Sequence, residues 1–356
     1  MGFVILSTYP MAASSSFALF EDDAEIKRTE LRFGPYGIAE TRGVLEQFHA
    51  AEDTVTEWLR GMKPPDAVIG VAFLRARRPG GLYVVDDDFE KHLCGDHASA
   101  RNINRSAILA SRLAGIYSAR PLAFVSLSSR DMDAVYKISG IRGMTFNGVS
   151  RMIRIREAIR IACGTMGVLP EKCSVIAAYL GDSFSVCSQS EGRVRDFSDS
   201  LERGAFSARH AGSLPATSVV RMAYSGMWSK ADLLRNVYES GGLSSYFPDA
   251  GLDEAISMMR DGDAYAAMVL RAMIGQLAAE LSAHAAALYG RVDAFVLMGE
   301  YAMNDFFVSL LREKISWVCD KIIIHDSEDE LKILAGTALR YLRSEEMPAF
   351  RWYSSK

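Results

Sequence analysis

The chain has 356 residues, enough for two ordinary domains, and its 49% hydrophobic content is ample for a packed core in each. A net charge of −4, with acids and bases scattered throughout, argues against a nucleic-acid binder, which would carry a basic patch or stripe. No uninterrupted apolar run reaches the ~18 residues of a membrane span, and no basic segment precedes the short apolar start, so no signal peptide is expected.

Five cysteines (Cys94, Cys163, Cys173, Cys187 and Cys319) are widely spaced without a CxxC pair. They are expected to be buried thiols in a reducing compartment, and the chain reads as cytoplasmic.

In chain order, Gly2–Thr8 and Phe17–Phe20 are apolar runs of strand length around a hinge of small residues, Ala12, Ala13 and Ser14–Ser16. "DAVIGVAFLRARRPGGLYVVD" predicts a strand, a basic loop, a turn and a second strand. "DHASARNINRSAILASRLAGIY" predicts a helix with Asp96 as a candidate N-cap, and "PLAFVSLS" a buried strand. The pattern then begins again. "VSRMIRIREAIRIACGTMG" has helical spacing, and "CSVIAAYLGDSFSVCSQSEGRVRDF" predicts strand, turn, strand, turn, strand. Helices follow in "SKADLLRNVYESGGL", "LDEAISMMRDGD" and "AYAAMVLRAMIGQLAAELSAHAAALYG". "VDAFVLMGEY" predicts a buried strand leading to the helix "NDFFVSLLREKI". "DKIIIHD" predicts another strand, "DELKILAGTALRYLRSEE" a last helix and "MPAFRWYSSK" a loop. Two halves that each open on a β-turn-β predict a duplicated α/β unit. Such a pair favours a ligand between domains, with turn N–H groups offered to phosphate.

Ten colinear segments resemble the butyrate kinase branch of the acetate and propionate kinase family. They include "ILSTYPMAASSSFALFED", "PGGLYVVDD", "GDHASA", "DMDAVYKISG", "EGRVRDFSDSLERGAFSARHAGSLP", "YSGMWSKADLLRNV", "SGGLSSYF", "RDGDAYAAMVLRAMIGQLA", "VDAFVLMGE" and "ALRYLRSEEMP". The resemblance spans almost the whole chain. It implies an α/β chain of two ribonuclease-H-like domains of the actin, Hsp70 and sugar-kinase (ASKHA) superfamily, with a nucleotide cleft between them. The implied limits are 1–143 for the first domain, with a C-terminal helix at about 332–356 packing back on it, and 144–331 for the second, nucleotide side. The implied reaction is reversible phosphoryl transfer from ATP, with Mg²⁺, to a short-chain carboxylate. A homodimer through the second domain is implied as well.

Such a reaction brings two anions together, so cations and a metal must neutralise them. The resemblance places phosphate contacts at Ser14 and Ser15 in the first hairpin and at Gly181 and Ser183 in the second. It places the adenosine loop at Gly299 and a nucleotide-side cation position at His210. Arg151 falls at the position of the family's transition-state His, and Glu330, beside Asp329, at the metal position. The carboxylate-binding Arg falls at Val71, with Arg75, Arg77 and Arg78 close by, and His97 lies in the matched "GDHASA".

The departures fall on chemistry rather than scaffold. The family's Asn-Pro-Gly-Ser-Thr-Ser-Thr-Lys is here Tyr9-Pro10-Met11-Ala12-Ala13-Ser14-Ser15-Ser16, without the Asn, the Gly or the cation. His-Met-Gly-Gly-Gly-Ile-Ser is here Tyr179-Leu180-Gly181-Asp182-Ser183-Phe184-Ser185, and Asp182 puts a negative charge where a phosphate belongs. Two expectations follow from this pattern: a carboxylate kinase with a rearranged site, or a non-catalytic relative that binds a ligand or partner.

Overall fold

The computed structural model describes residues 2–11, 14–32, 44–74, 80–94, 104–128, 132–146, 151–326, 329–345 and 350–351. The chain divides into two compact units, Met1–Arg130 with Glu328–Lys356, and Asp131–Ser327.

The first unit holds a seven-stranded sheet. Strands β1 (Val4–Pro10), β2 (Ser14–Glu21) and β3 (Ala24–Arg32) form an antiparallel meander. The hairpin of the sequence reading thus continues into a third strand. Its "AEIKRTELR" alternates exposed and half-buried residues, and its charges blunt the sheet edge. β4 (Ala67–Leu74) pairs parallel with β1, and β6 (Arg120–Ser128) parallel with β4. β5 (Gly81–Val84) runs antiparallel to β6. The C-terminal segment, expected as loop, contributes β12 (Phe350–Arg351), which pairs with β5.

Helices α1 (Val44–Trp58), α2 (Asp87–Cys94) and α3 (Arg105–Tyr117) supply the apolar faces that cover one side of this sheet. The candidate cap Asp96 lies outside the described residues. The residue before α3 is Asn104, whose Oδ1 accepts the Phe73 N–H at 2.8 Å. The last helix, α11 (Glu330–Leu342), packs on β1, β2 and β4. Ion pairs fix its direction: Asp329 with Arg28 at the start (2.5 Å) and Arg343 with Asp22 at the end (2.9 Å).

The second unit repeats the plan with a five-stranded sheet. β7 (Val175–Leu180), β8 (Phe184–Ser190) and β9 (Arg193–Asp199) form the meander, and β10 (Ala294–Met298) and β11 (Ile322–His325) extend it in parallel from β7. The order β9-β8-β7-β10-β11 reproduces β3-β2-β1-β4-β6 of the first unit. β7 and β10 are buried at every residue, as continuous apolar runs in central parallel strands are.

α4 (Met152–Thr165) covers one face of this sheet. On the other lie α9 (Ala264–Ala287) and α10 (Asp305–Ile315), with α8 (Leu252–Arg260) packed on α9. Asp263 caps α9 by accepting the Tyr265 and Ala266 N–H groups at 2.8 and 3.0 Å. By length and hydropathy α9 is the one described helix that could cross a bilayer, although Arg271 and Glu280 interrupt its apolar run. Its stripe Val269, Leu270, Met273, Leu277 and Leu281 forms the core of the unit. Between β9 and α8 the chain forms α5 (Ala216–Ala223), α6 (Lys230–Tyr238) and the single turn α7 (Leu243–Tyr246). Cys163, Cys173 and Cys187 are buried as expected, whereas Cys94 and Cys319 are only half-buried.

Candidate functional site

The end of β7 is where the second unit gathers its unusual groups. β7 closes on the turn Gly181–Ser183, where the Gly181 N–H reaches the Ser183 carbonyl at 3.3 Å. A strap running from Ser200 to Ser213 holds this turn. The Asp182 carbonyl accepts the Ser207 hydroxyl (2.7 Å) and the Arg209 N–H (3.2 Å). Ser200 ties the strap to β8: its N–H reaches the Phe184 carbonyl at 2.9 Å, and its Oγ accepts the Phe184 N–H at 3.1 Å.

His210 is knitted into the same strap. Its Nδ1 lies 3.2 Å from Ser200 Oγ, and its N–H donates to Ser207 Oγ at 3.3 Å. Burial pulls the imidazole below its ordinary pKa, the Asp182 carboxylate opposes this, and Arg151 and Arg209 reinforce it. His210 is therefore a neutral donor-acceptor at pH 7 and supplies no positive charge.

Arg151 immediately precedes α4 with a left-handed backbone, φ 60°. Its guanidinium lies 5.0 Å from the centre of the Tyr179 ring, and that of Arg154 5.8 Å. The Tyr179 hydroxyl fills the space beside Gly181, where an added Cβ would meet it at 2.9 Å. Tyr179 thus separates the two arginines from the turn, and the close backbone approach that a glycine turn offers to phosphate is taken by the protein's own ring.

Gly299 joins this cluster from β10. Its φ is 95°, and a Cβ would meet the Leu180 carbonyl at 2.6 Å, so only glycine lets the end of β10 lie against the end of β7. Two residues on, the Tyr301 hydroxyl is pushed up by burial and by the charges of Glu300, Asp182 and Asp253. Four of the residues placed from sequence in the second unit, Gly181, Ser183, His210 and Gly299, therefore gather with Arg151 at the carboxyl ends of β7 and β10. That is where open α/β sheets hold ligands. Tyr179, Arg154, Ser200 and Ser207 belong to the same cluster and were not singled out from sequence. The serine-rich "SDSLERGAFSARH" was the available signal.

Both hairpins carry buried hydroxyls without a hydrogen-bond partner among the described residues: Thr8 and Ser15 Oγ in the first unit, Ser183 and Ser185 Oγ in the second. Ser14 is buried beside Ser15, and Met11 closes the first turn through its N–H to the Ser14 carbonyl at 2.9 Å. Orphaned hydroxyls suit phosphate oxygens, but the described part of neither turn adds a cation of its own.

In the first unit Glu330 is a buried first-turn residue of α11. Asp329 serves as its N-cap, accepting the Lys332 N–H at 2.9 Å while paired with Arg28. No group of three or more metal-ligating side chains occurs among the described residues. Val71 is fully buried within β4, so the ungapped position for a carboxylate-binding group belongs to the core. Arg75, Arg77, Arg78 and His97 lie outside the described residues.

A second polar cluster is sealed between α9 and the β8–β9 pair. Ser198 Oγ bonds the Glu280 carboxylate and lies 2.9 Å from His284 Nε2, while His284 Nδ1 lies 3.3 Å from Ser188 Oγ. The other Glu280 oxygen accepts the Ala205 N–H at 2.6 Å, which anchors the strap at its base. Burial raises the Glu280 carboxyl to about 7 and lowers the fully enclosed His284 to about 3. The Glu280 residue is half-buried overall, and both of its carboxylate oxygens are engaged by these partners.

No family model matches the chain. Among solved structures it is similar to an acetate kinase from Porphyromonas gingivalis, at 13% identity and TM-score 0.76, over 94% of this chain and 99% of that one. It is similar to an acetate kinase from Entamoeba histolytica, at 12% identity and TM-score 0.71, over 93% and 97%. A propionate kinase from Francisella tularensis gives 14% identity and TM-score 0.69, over 94% and 98%. At these identities the likeness is one of fold: the chain has the two-unit α/β architecture of these acetate and propionate kinase structures.

Proposed function

We propose that the protein is a carboxylate-kinase-type phosphotransferase, moving the γ-phosphoryl group of ATP reversibly onto a short-chain fatty acid of the butyrate class. The observation that carries this reading is the convergence of Arg151, the Gly181–Ser183 turn, His210 and Gly299 at one end of the second sheet. In this reading Arg151 stabilises charge on the transferring phosphoryl group, and its fixed planar charge suits that role. Ser14, Ser15 and Ser183 donate hydroxyls to phosphate oxygens, neutral His210 adds a hydrogen bond, and Gly299 sets the course of the adenosine loop after β10. Arg75 or Arg78 holds the carboxylate, supported by His97. Mg²⁺ would supply, when bound, positive charge that neutralises the phosphates. Glu330 would supply its protein carboxylate, since this ion takes few protein ligands beside phosphates and waters.

The test is an acyl-hydroxamate assay with ATP, Mg²⁺ or Mn²⁺, and acetate, propionate, butyrate or branched acids. Turnover with butyrate is expected, and no turnover above blank with any acid overturns the reading.

A second reading is favoured by Asp182, whose charge faces the same turn that His210 leaves without a cation. It is a non-catalytic relative that binds nucleotide as a sensor or partner subunit. An ATP-dependent thermal shift without turnover is its signature, and turnover removes it.

A further inference from the structure

The Glu280 carboxylate is the seat of a loop. Residues 204–213 leave and rejoin the second unit at one point, where Gly204 N–H donates to Ser213 Oγ and Ser213 N–H to the Gly204 carbonyl, both at 2.9 Å. The loop carries Ser207, which donates to the Asp182 carbonyl, and His210. Its base rests on Glu280. Ala205 N–H donates to one carboxylate oxygen at 2.6 Å, and Gly204, at φ 109°, lies so close that a Cβ would meet the two oxygens at 2.3 and 2.5 Å. The state of this one carboxyl group therefore bears on the whole loop.

Counting protons shows which state the fold is built for. His284 is neutral, because its complete burial penalises the imidazolium. With Glu280 protonated, its O–H donates to Ser198 Oγ, and the Ser198 O–H to His284 Nε2 at 2.9 Å. His284 Nδ1–H then donates to Ser188 Oγ at 3.3 Å, and the Ser188 O–H to the Asp196 carbonyl at 3.4 Å. Four hydrogens make four bonds. With Glu280 ionised the chain must reverse: Ser198 donates to the carboxylate, His284 carries its proton on Nε2, and Ser188 turns to Nδ1. Three bonds remain, and the Asp196 carbonyl loses the Ser188 proton.

The groups facing Glu280 add little that favours the ionised state. On its own helix stands neutral His284, on β8 Ser188, and on β9 Ser198 and Asp199, whose carboxylate opposes ionisation. Arg203, from the strap, favours it, but its guanidinium is already bonded to Asp196 and to the Phe197 carbonyl at 2.8 Å. Burial dominates and raises the carboxyl from 4.5 to about 7. Lifting the loop base returns Glu280 to water but leaves His284 between α9 and the β8–β9 pair. The opposing titration of His284 therefore does not enter this local event.

We propose that Glu280 is a proton-gated latch on the His210 strap: protonated, it holds the 204–213 loop seated, and on losing its proton it lets the loop base lift. What the latch regulates rests on the phosphotransfer reading above, in which rising pH withdraws the hydrogen bond of His210; the latch itself is tested without nucleotide. Hydrogen exchange on the full chain, corrected for the intrinsic pH dependence of exchange, should show the protection of residues 204–213 falling roughly 50-fold between about pH 5 and pH 8. Amides of α9, where His284 offsets Glu280, should change only a few-fold. Glu280→Gln keeps an acceptor for the Ala205 N–H and cannot ionise, so its loop protection should be flat over the same range. A wild-type loop without this pH dependence overturns the proposal, and so does an E280Q loop that keeps the wild-type slope. Protection lost equally from the loop and from α9 also overturns it, because the event is then unfolding of the whole unit. No arm of the test contains ATP or an acid substrate, so an absence of turnover bears on the reaction alone.

Discussion

Replacing Glu280 by Gln and, separately, His284 by Gln should tilt the pH dependence of stability in opposite directions. Glu280 is raised by burial from 4.5 to about 7. The folded state then holds its proton where the unfolded chain has released it, so its stabilisation is complete below 4.5 and is lost as pH rises through 7. Each tenfold change in proton affinity is about 1.4 kcal/mol, so the loss between about pH 5 and pH 8 is about 2–3 kcal/mol. His284 is lowered by burial from 6.5 to about 3. Below 6.5 the unfolded imidazole takes a proton that the folded one refuses, so stability falls with acid, and rises by about 2 kcal/mol from pH 5 to 8. The two effects nearly cancel in the wild type, and the Ser198 hydroxyl bridges the two groups. E280Q keeps an acceptor for the Ala205 N–H and removes the falling limb, so it should gain about 2 kcal/mol from pH 5 to 8 relative to its own acid value. H284Q removes the rising limb and should lose about 2–3 kcal/mol over the same range. Native-state hydrogen exchange of α9 amides in a denaturant series, corrected for the intrinsic pH dependence of exchange, reads this without assuming that a two-unit chain unfolds in one step. If both variants track the wild-type profile, the cluster does not hold Glu280 protonated and His284 neutral.

Three further outcomes follow from the site. Gly299→Ala should cost about 2 kcal/mol or more, from its positive φ and its contact with the Leu180 carbonyl; an unchanged melting temperature would refute the packing of β10 against β7. Asp182→Asn should lower the His210 pKa further and Arg151→Ala should raise it, since the two charges act on the imidazole in opposite senses. An NMR titration of the His210 ring resonances checks this, and movement in the same direction would separate His210 from this cluster. Ser207→Ala removes the hydroxyl that donates to the Asp182 carbonyl and should cost about 1–2 kcal/mol in a thermal or chemical melt; a neutral effect would mean that the strap does not hold the turn.

The duplicated plan was legible because its signals are local and redundant. "VIAAYL" and "AFVLM" are apolar at every position, and such runs bounded by turns can only be central strands or buried helix segments. β3 was missed because an edge strand needs no apolar face: "AEIKRTELR" reads as solvated polar chain until its pairing with β2 is known. β12 is two residues long, and its pairing with β5 joins residues far apart in the chain, which no local pattern encodes. α5 was missed for a related reason. With nothing of its own unit to pack against, "ATSVVRMA" shows no stripe that agrees with the core of the fold.

The site was legible at the level of position and not of charge state. Sequence placed Gly181, Ser183, His210, Gly299 and Arg151 in one functional group, and the second sheet gathers them at the ends of β7 and β10. It could not show that His210 is half-buried and neutral, because that depends on Ser200, Ser207 and a strap closed from the distant 237–243 segment. Nor could it show that Tyr179 fills the space beside Gly181. These two facts change what the substitutions mean. A His at a cation position could have been a conservative exchange if it were charged. Held neutral beside Asp182, it leaves the positive charge around this turn to Arg151 and Arg154, over the Tyr179 ring, and to Arg209, whose backbone N–H bonds the Asp182 carbonyl. Positive charge therefore flanks the turn on the Tyr179 side through Arg151 and Arg154 and on the strap side through Arg209. Arg151 is the nearer of the two arginines to the Tyr179 ring, so Arg151→Ala is the substitution that tests whether the charge on that side of the turn matters.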